Sequence, residues 1–303
     1  MLNTSVERYI SLRQAMGYRL VQLNRDLQAF VQFATRRGDI HIRACTAVAW
    51  ASTASTPGSR DIRLRSVVQL ALFLHAEDPM HEVPLAHLFS VSRPRVLPYI
   101  YSPGELGRIV SAAGRLWRTY PLRRATFATL FGLIAATGLR ISEALDLRLS
   151  DLSDDGVLLI RNGKGGRSRL VPLHLTVVKA LSGYLDRRLK LPVLDDHLFL
   201  SGKGRRICPR VALQTFRRIA SLAGIIHTGM RPCRIHDMRH TFATRSLEQC
   251  PTRREDVAKH FVALATYLGH TEIRHTYWYF EATPELMTDI AKAADLLVGQ
   301  EDA

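Results

Sequence analysis

Cysteine is scarce in this chain and forms no motif. The 303 residues hold four, at Cys45, Cys208, Cys233 and Cys250. None sits in a C-x-x-C pair, which excludes a zinc knuckle and a dithiol redox motif. Reduced structural thiols in a cytosolic protein are the expectation. Long apolar runs are also missing: nothing approaches the roughly 18 residues a membrane span needs. The opening MLNTSVERYISLRQ has neither the basic n-region nor the apolar h-region of a signal peptide. The chain is therefore expected in the cytoplasm, associated with the nucleoid and away from membranes. Lysine is the third scarcity, with 6 Lys against 36 Arg among the 42 basic residues. A planar guanidinium fork suits phosphate oxygens, although a GC-rich genome explains the same bias. Internal repeats and low-complexity tracts are absent too.

What remains is an ordinary globular mix, with 47% apolar, 23% charged and 8% aromatic residues. The length suggests about two domains. The 42 basic residues against 27 acidic ones leave a formal charge of +15, which points to a polyanionic partner, nucleic acid first and an anionic membrane surface second. Residues 1–88 contribute only +3 of this and the remainder +12.

Apolar spacing of three and four predicts a helical N-terminal region. Two amphipathic helices lie within residues 4–37, with Val6, Tyr9, Ile10 and Leu12 on the first and Leu20, Leu23, Leu27, Phe30 and Val31 on the second. Gly38, after Arg36 and Arg37, is a stop with cations at the negative helix end. A third helix is expected over Thr46–Ser52 and a fourth after Pro57-Gly58. Residues 91–103, VSRPRVLPYIYSP, hold three prolines and read as an inter-domain linker. Pro103 then opens a helix. Helices are expected at 104–114, 121–137, 141–147, 174–189, 208–223, 236–248, 254–268 and 284–298. They are interrupted by two short β-prone runs, Val157–Arg161 and Ser168–Val171, around Asn162-Gly163-Lys164-Gly165-Gly166, which is hairpin chemistry. The fold expected is mainly α with a small antiparallel β-hairpin. A helical domain occupies 1–90, a linker 91–103 and a mixed, mostly α domain 104–303.

Four islands hold candidate chemistry. In AATGLRISEALDLRL, Arg140 opens a helix, where a cation is electrostatically disfavoured. Either an anion is bound there or Arg140 simply pairs with Glu143. In the hairpin, Lys164 sits at the turn tip, and GKGGRS lacks the spacing of a Walker A loop. In RIHDMRHTFAT, His236 and Arg239 are three apart and share a helix face. His240 falls one residue further round, on a different face, and its expected role is a packed core histidine. The HxxxH-with-Glu pattern of zinc proteases is absent. In YLGHTEIRHTYWYFEATPELM, His270 follows a glycine that ends a helix, and Tyr279 lies nine residues on within the cluster Tyr277-Trp278-Tyr279-Phe280.

Together the islands supply a metal-free and cofactor-free phosphoryl-transfer kit. A tyrosine oxygen attacks a backbone phosphodiester, and two guanidiniums clamp the non-bridging oxygens as charge builds on them. A phenol of pKa about 10 needs help to lose its proton, and the leaving 5′ oxygen needs a proton that a positioned Lys supplies.

In this order the motifs resemble the tyrosine recombinase (phage integrase) family. The stretches that carry the likeness are ATGLRISEALDL, NGKGGRSRLVPL, IHDMRHTFAT and YLGHTEIRHTYWYF, and the N-terminal RYISLRQAMGYRLVQLNRDLQAFVQFATRRG looks like that family's helical core-binding domain. The resemblance implies a site-specific recombinase or integrase working through a covalent 3′-phosphotyrosine. The family's two arginines fall on Arg140 and Arg239 and its hairpin lysine on Lys164. Its general-base histidine falls on His236, its phosphate-contacting histidine on His270 and its nucleophile on Tyr279. The implied partner is double-stranded DNA, held in a two-domain clamp. The implied assembly is a dimer on each site and a tetramer in the synapse, with other recombinases of the same element as further partners. The amphipathic helix 285–298 is expected to pack on a neighbouring protomer or on its own domain.

Met238 stands where the family usually has Leu, and the segment Glu248–Lys259 is longer than usual before LGH. The TYWYFEATPELM ending resembles transposon-borne members. The alternatives are a type IB topoisomerase and a non-catalytic DNA-binding accessory protein. A metal-dependent transposase would need clustered carboxylates, and Asp146, Asp151, Asp154 and Asp155 read instead as turn and capping residues.

Overall fold

The computed structural model describes residues 2–18, 20–89, 98–116, 120–161, 168–191, 195–225, 232–249 and 254–269. The chain divides into two compact units, Met1–Arg95 and Val96–Ala303.

The first unit is helical in its described residues: α1 (Leu2–Ala15), α2 (Val21–Arg36), α3 (Ala44–Ser52) and α4 (Pro57–His75). Its core is apolar, with Val6, Ile10, Leu27, Phe30, Trp50, Leu64, Val67 and Leu70 buried together. Thr56 caps α4 by accepting the Ser59 amide at 3.2 Å, and Pro57 fills the first helical turn, where its missing N–H costs nothing. Gly38 takes φ +80° as α2 ends, and the Asp39 amide reaches back to the Ala34 carbonyl at 3.1 Å.

The second unit opens with α5 (Pro103–Arg115). Ser102 and Glu105 form a reciprocal capping box at its start. Then follow α6 (Pro121–Thr137), α7 (Ile141–Asp146), a short 3₁₀ turn (Leu149–Asp151), β1 (Val157–Ile160) and β2 (Arg169–Pro172). The two strands are antiparallel, with Ile160 opposite Arg169 and Val157 opposite Pro172. Four helices complete the described part: α8 (Leu175–Arg188), α9 (Pro209–Leu222), α10 (Ile235–Glu248) and α11 (Arg254–Leu268). One core joins α5, α6, α9 and α10 to the sheet. Phe127, Phe131, Ile134, Leu158, Phe216 and Met238 are buried in it, and the Phe131 and Phe216 rings meet edge-on at 5.4 Å. A smaller cluster of Ala243, Leu247, Phe261, Leu264 and Leu268 clips α11 onto α10.

The helical architecture with one small antiparallel sheet is the fold the sequence predicts. Lys164, Cys250, His270, Tyr279, most of the linker and the helix expected at 284–298 lie outside the described residues. No helix among the described residues is long and apolar enough to cross a membrane.

Candidate active site

The C-terminal end of α11 organises the site. A helix leaves its last carbonyls without partners and carries partial negative charge there. Three consecutive carbonyls at this end each accept from a different arginine. Arg169 Nε donates to the Tyr267 oxygen at 2.7 Å. Arg239 Nη2 donates to the Leu268 oxygen at 2.7 Å. Arg140 Nη2 donates to the Gly269 oxygen at 3.2 Å. The three arginines come from β2, α10 and the N-cap of α7, so distant parts of the chain meet at one helix end.

Each arginine is fixed by its local structure. Arg140 follows Gly138, which closes α6 at φ +64°. A Cβ there would lie 2.6 Å from Phe242 and 3.0 Å from Leu268, so both the left-handed turn and the close approach require glycine. The Gly138 carbonyl accepts Arg239 Nη1 at 2.7 Å. Arg239 is only 1% exposed, on the buried side of α10.

Glu143 decides the Arg140 question in part. Its carboxylate accepts the Arg140 amide at 3.0 Å and Arg140 Nη1 at 2.7 Å, so the structural pair foreseen from the sequence exists. The acid at the third helical position also compensates the cation at the N-cap. The same arrangement recurs at Arg234, whose amide donates to Asp237 at 2.8 Å, and at Arg148, whose amide donates to Asp151 at 2.9 Å. Asp151 is thus a capping residue, as expected. Among the described residues, the pairing leaves Arg140 with donors to spare: of its five N–H groups, the three bonds to Glu143 Oε1, Leu268 O and Gly269 O engage only the two terminal nitrogens.

Arg169 is the residue that sequence reasoning missed. Its two terminal nitrogens grip both Glu143 oxygens, at 3.1 and 2.9 Å. Burial alone would raise the Glu143 pKa. The hydrogen bonds and charge of Arg169, with help from Arg140, overcome that and hold it down at about 2.

His236 stands on the exposed side of the first turn of α10. Protein crowding its ring and the positive charges of Arg239 and Arg234 lower its pKa, which keeps it neutral near pH 7 and able to accept a proton. The expectation that His240 points to a different face is corrected: one helical turn on, its half-buried ring meets that of His236 at 4.6 Å, nearly perpendicular. Burial and its neighbour His236 depress the His240 pKa to about 4.

The structure therefore brings Arg140, Arg239 and, one residue before His270, Gly269 to one place. His236 lies on the same helix as Arg239. Among the described residues, two groups bring three potential ligand atoms within 4.8 Å of one another. One is His41, Asp78 and His81 in the first unit, the other Asp195, Asp196 and His197. Neither contains a residue of this site.

Residues 104–285 match the phage integrase family. The chain is 35% identical over 295 residues to the integrase/recombinase y4rB of Sinorhizobium fredii, with 94% of both proteins covered. It is 31% identical over 242 residues to the tyrosine recombinase XerD of Caulobacter vibrioides, covering 78% of this chain and 75% of that one. Among solved structures, the Tn1549 transposon integrase in complex with transposon right-end DNA superposes with a TM-score of 0.66 at 18% identity, over 96% of this chain and 99% of that one. The chain belongs to the phage integrase family. It is an enzyme of the tyrosine-type site-specific recombinase class.

Proposed function

We propose that the chain cleaves and rejoins double-stranded DNA through a covalent 3′-phosphotyrosine, during transposition or integration of a mobile element. In this reading the Tyr279 oxygen attacks the scissile phosphorus while the P–O5′ bond breaks. The phenol proton passes to His236, and Lys164 protonates the departing 5′ oxygen. Arg140, Arg239 and His270 hold the non-bridging oxygens as they gain charge. The phosphotyrosine bond conserves the energy of the broken phosphodiester, so religation needs no nucleotide.

The observation that carries the reading is the meeting of Arg140 and Arg239 on the last carbonyls of α11, directly before His270 in the chain. Arg140 and Arg239 meet at this helix end and His236 lies on the helix bearing Arg239, although the three span residues 140 to 239. The spare N–H groups of Arg140 and the depressed pKa of His236 fit a clamp and a base respectively. Relatives named as recombinases, and the transposon integrase solved in complex with transposon right-end DNA, support double-stranded DNA as the substrate and a mobile element as the setting. Two domains, 1–90 and 104–303 joined by residues 91–103, would grip the duplex from two sides. A dimer on each site and a tetramer in the synapse, linked through residues 285–298, would exchange the strands. Other recombinases of the same element are candidate partners there.

The test is a nicked duplex carrying the element's end, which loses a short fragment after cleavage and traps the intermediate. Wild-type protein should become attached through a 3′-phosphate and Tyr279→Phe should not. If Tyr277→Phe abolishes trapping and Tyr279→Phe retains it, the nucleophile is assigned to the wrong residue.

A further inference from the structure

We propose that Arg169 is a positioning residue of this site: it locks Glu143 and the Tyr267–Gly269 end of α11 together, and so holds Arg140 and the chain entering His270 in cleavage geometry. The inference rests on the recombinase reading above.

Arg169 differs from the other two arginines in how it is used. Its side chain is 9% exposed. Nε binds the Tyr267 carbonyl, and Nη1 and Nη2 bind the two oxygens of Glu143. All three nitrogens are thus engaged by protein, and the fork meets the carboxylate in the two-pronged manner that a guanidinium alone provides. Glu143 in turn holds both the backbone and the side chain of Arg140.

Gly269 reports the same closeness independently. It sits at φ +67°, and a Cβ there would lie 2.7 Å from Arg169 Nη1, 3.0 Å from Cζ and 3.2 Å from Cδ. The arginine side chain therefore lies along the backbone of the residue that precedes His270. Arg169 also begins β2, the strand that leaves the hairpin bearing Lys164 five residues earlier. One side chain thus ties the hairpin strand, the N-cap of α7 and the end of α11 into a single unit. A group that sets the aim of a clamp without touching substrate should affect the chemical step and spare binding. Misplacement on the ångström scale costs on the order of 100-fold in rate.

The experiment compares wild type, Arg169→Lys and the double variant Arg169→Met/Glu143→Gln. The double variant removes the buried carboxylate that Arg169→Met alone would leave unpaired. Affinity for the nicked duplex is read by gel shift, and the rate of covalent trapping at saturating DNA is read separately, with melting curves confirming that each variant is folded. Both variants should bind within about 3-fold of wild type and trap about 100-fold more slowly. Folded variants that trap at the wild-type rate overturn the proposal. So does a loss confined to affinity, with the rate at saturation unchanged. Failure of wild type to trap at all would overturn the recombinase reading and this inference with it, whereas wild-type trapping with undiminished variants would overturn this inference alone.

Discussion

The two units treat charge in opposite ways. Among the described residues of Met1–Arg95, no Asp, Glu, Lys or Arg is buried, whereas in the second unit Glu143, Asp151, Arg188, Asp237 and Arg239 are. The arginines of the first unit spread along its surface. Arg8 lies over the Phe73 ring, Arg63 over Trp50 and Arg37 over Phe33, each with its guanidinium carbon 5.2 to 5.6 Å from the ring centre. The second unit draws guanidiniums inward onto backbone carbonyls. Burying a cation is costly unless its hydrogen bonds are satisfied, and here backbone carbonyls and carboxylates satisfy them. The difference separates a unit that keeps its positive charge on the surface, in ion pairs such as Arg8–Glu77 and Arg43–Glu82 and over aromatic rings, from one that buries part of it in fixed geometry.

The comparison breaks most visibly at Arg239. Replacement by Met removes the short bonds to the Gly138 and Leu268 carbonyls, both at 2.7 Å, and leaves Leu268 with only the longer Arg140 contact at 3.5 Å. The expected loss is about 3–5 kcal/mol of stability, read by chemical denaturation, with covalent trapping falling by on the order of 1,000-fold. A stable, trapping-competent Arg239→Met would mean that the buried guanidiniums are as dispensable as the surface ones.

Glu143 tests whether the inward charges act as one network. Its pKa lies at about 2 in the folded state against an ordinary value of 4.5. A depressed carboxylate pKa contributes stability that is fully present above the unfolded value and is lost as pH falls through the folded value. The shift corresponds to about 3 kcal/mol. Wild type should therefore exceed Glu143→Gln by roughly that amount at pH 7, with the gap closing as pH drops from 4.5 towards 2. Equal stability at pH 7 would show that Arg140 and Arg169 do not depend on the carboxylate.

These tests bear on how much of the molecule is legible in its sequence. Among the described residues the helices fall where apolar spacing and turn residues put them, because that information is local: Pro57 and Pro103 mark starts that the structure reproduces. Arg140 and Arg239 stand out through their motifs. Arg169 does not, since its partners lie 26 and 98 residues away and an arginine at the start of a hairpin strand carries no signal of its own. The acceptors it shares the site with are main-chain carbonyls at the end of α11, which no side-chain pattern encodes. His240 falls on the wrong face in the sequence reading because counting from Arg239 hides its i, i+4 relation to His236. A glycine before His270 raises the question of what approaches its backbone, and that is the one local hint of Arg169.

Glycines offer a finer comparison between the units. Gly138→Ala must adopt φ +64° and also push Phe242 and Leu268 aside, so about 2–3 kcal/mol should be lost. Gly38 in the first unit has φ +80° with nothing within 4 Å of a Cβ. Gly38→Ala should lose only the backbone part, about 1 kcal/mol. Melting of both variants gives the steric contribution at the Gly138 turn by difference, and equal losses would mean the turn is not tightly packed against α10 and α11.

The smallest effect belongs to Arg63. Its guanidinium carbon lies 5.2 Å from the centre of the Trp50 ring and Nη1 donates to Thr53 at 2.8 Å, an exposed contact that water replaces easily. Arg63→Ala should cost no more than about 1 kcal/mol, and part of that loss should come from uncovering Trp50, which is 4% exposed, and not from the charge. Arg63→Met, which keeps the stem and removes the charge, separates the two. If Met restores most of the loss, the first unit uses this arginine as an apolar cover with a free cation at its tip, which is how a surface meeting phosphates should be built. If Met is as damaging as Ala, the charge is already committed inside the unit, and the contrast with Arg239 narrows to one of degree.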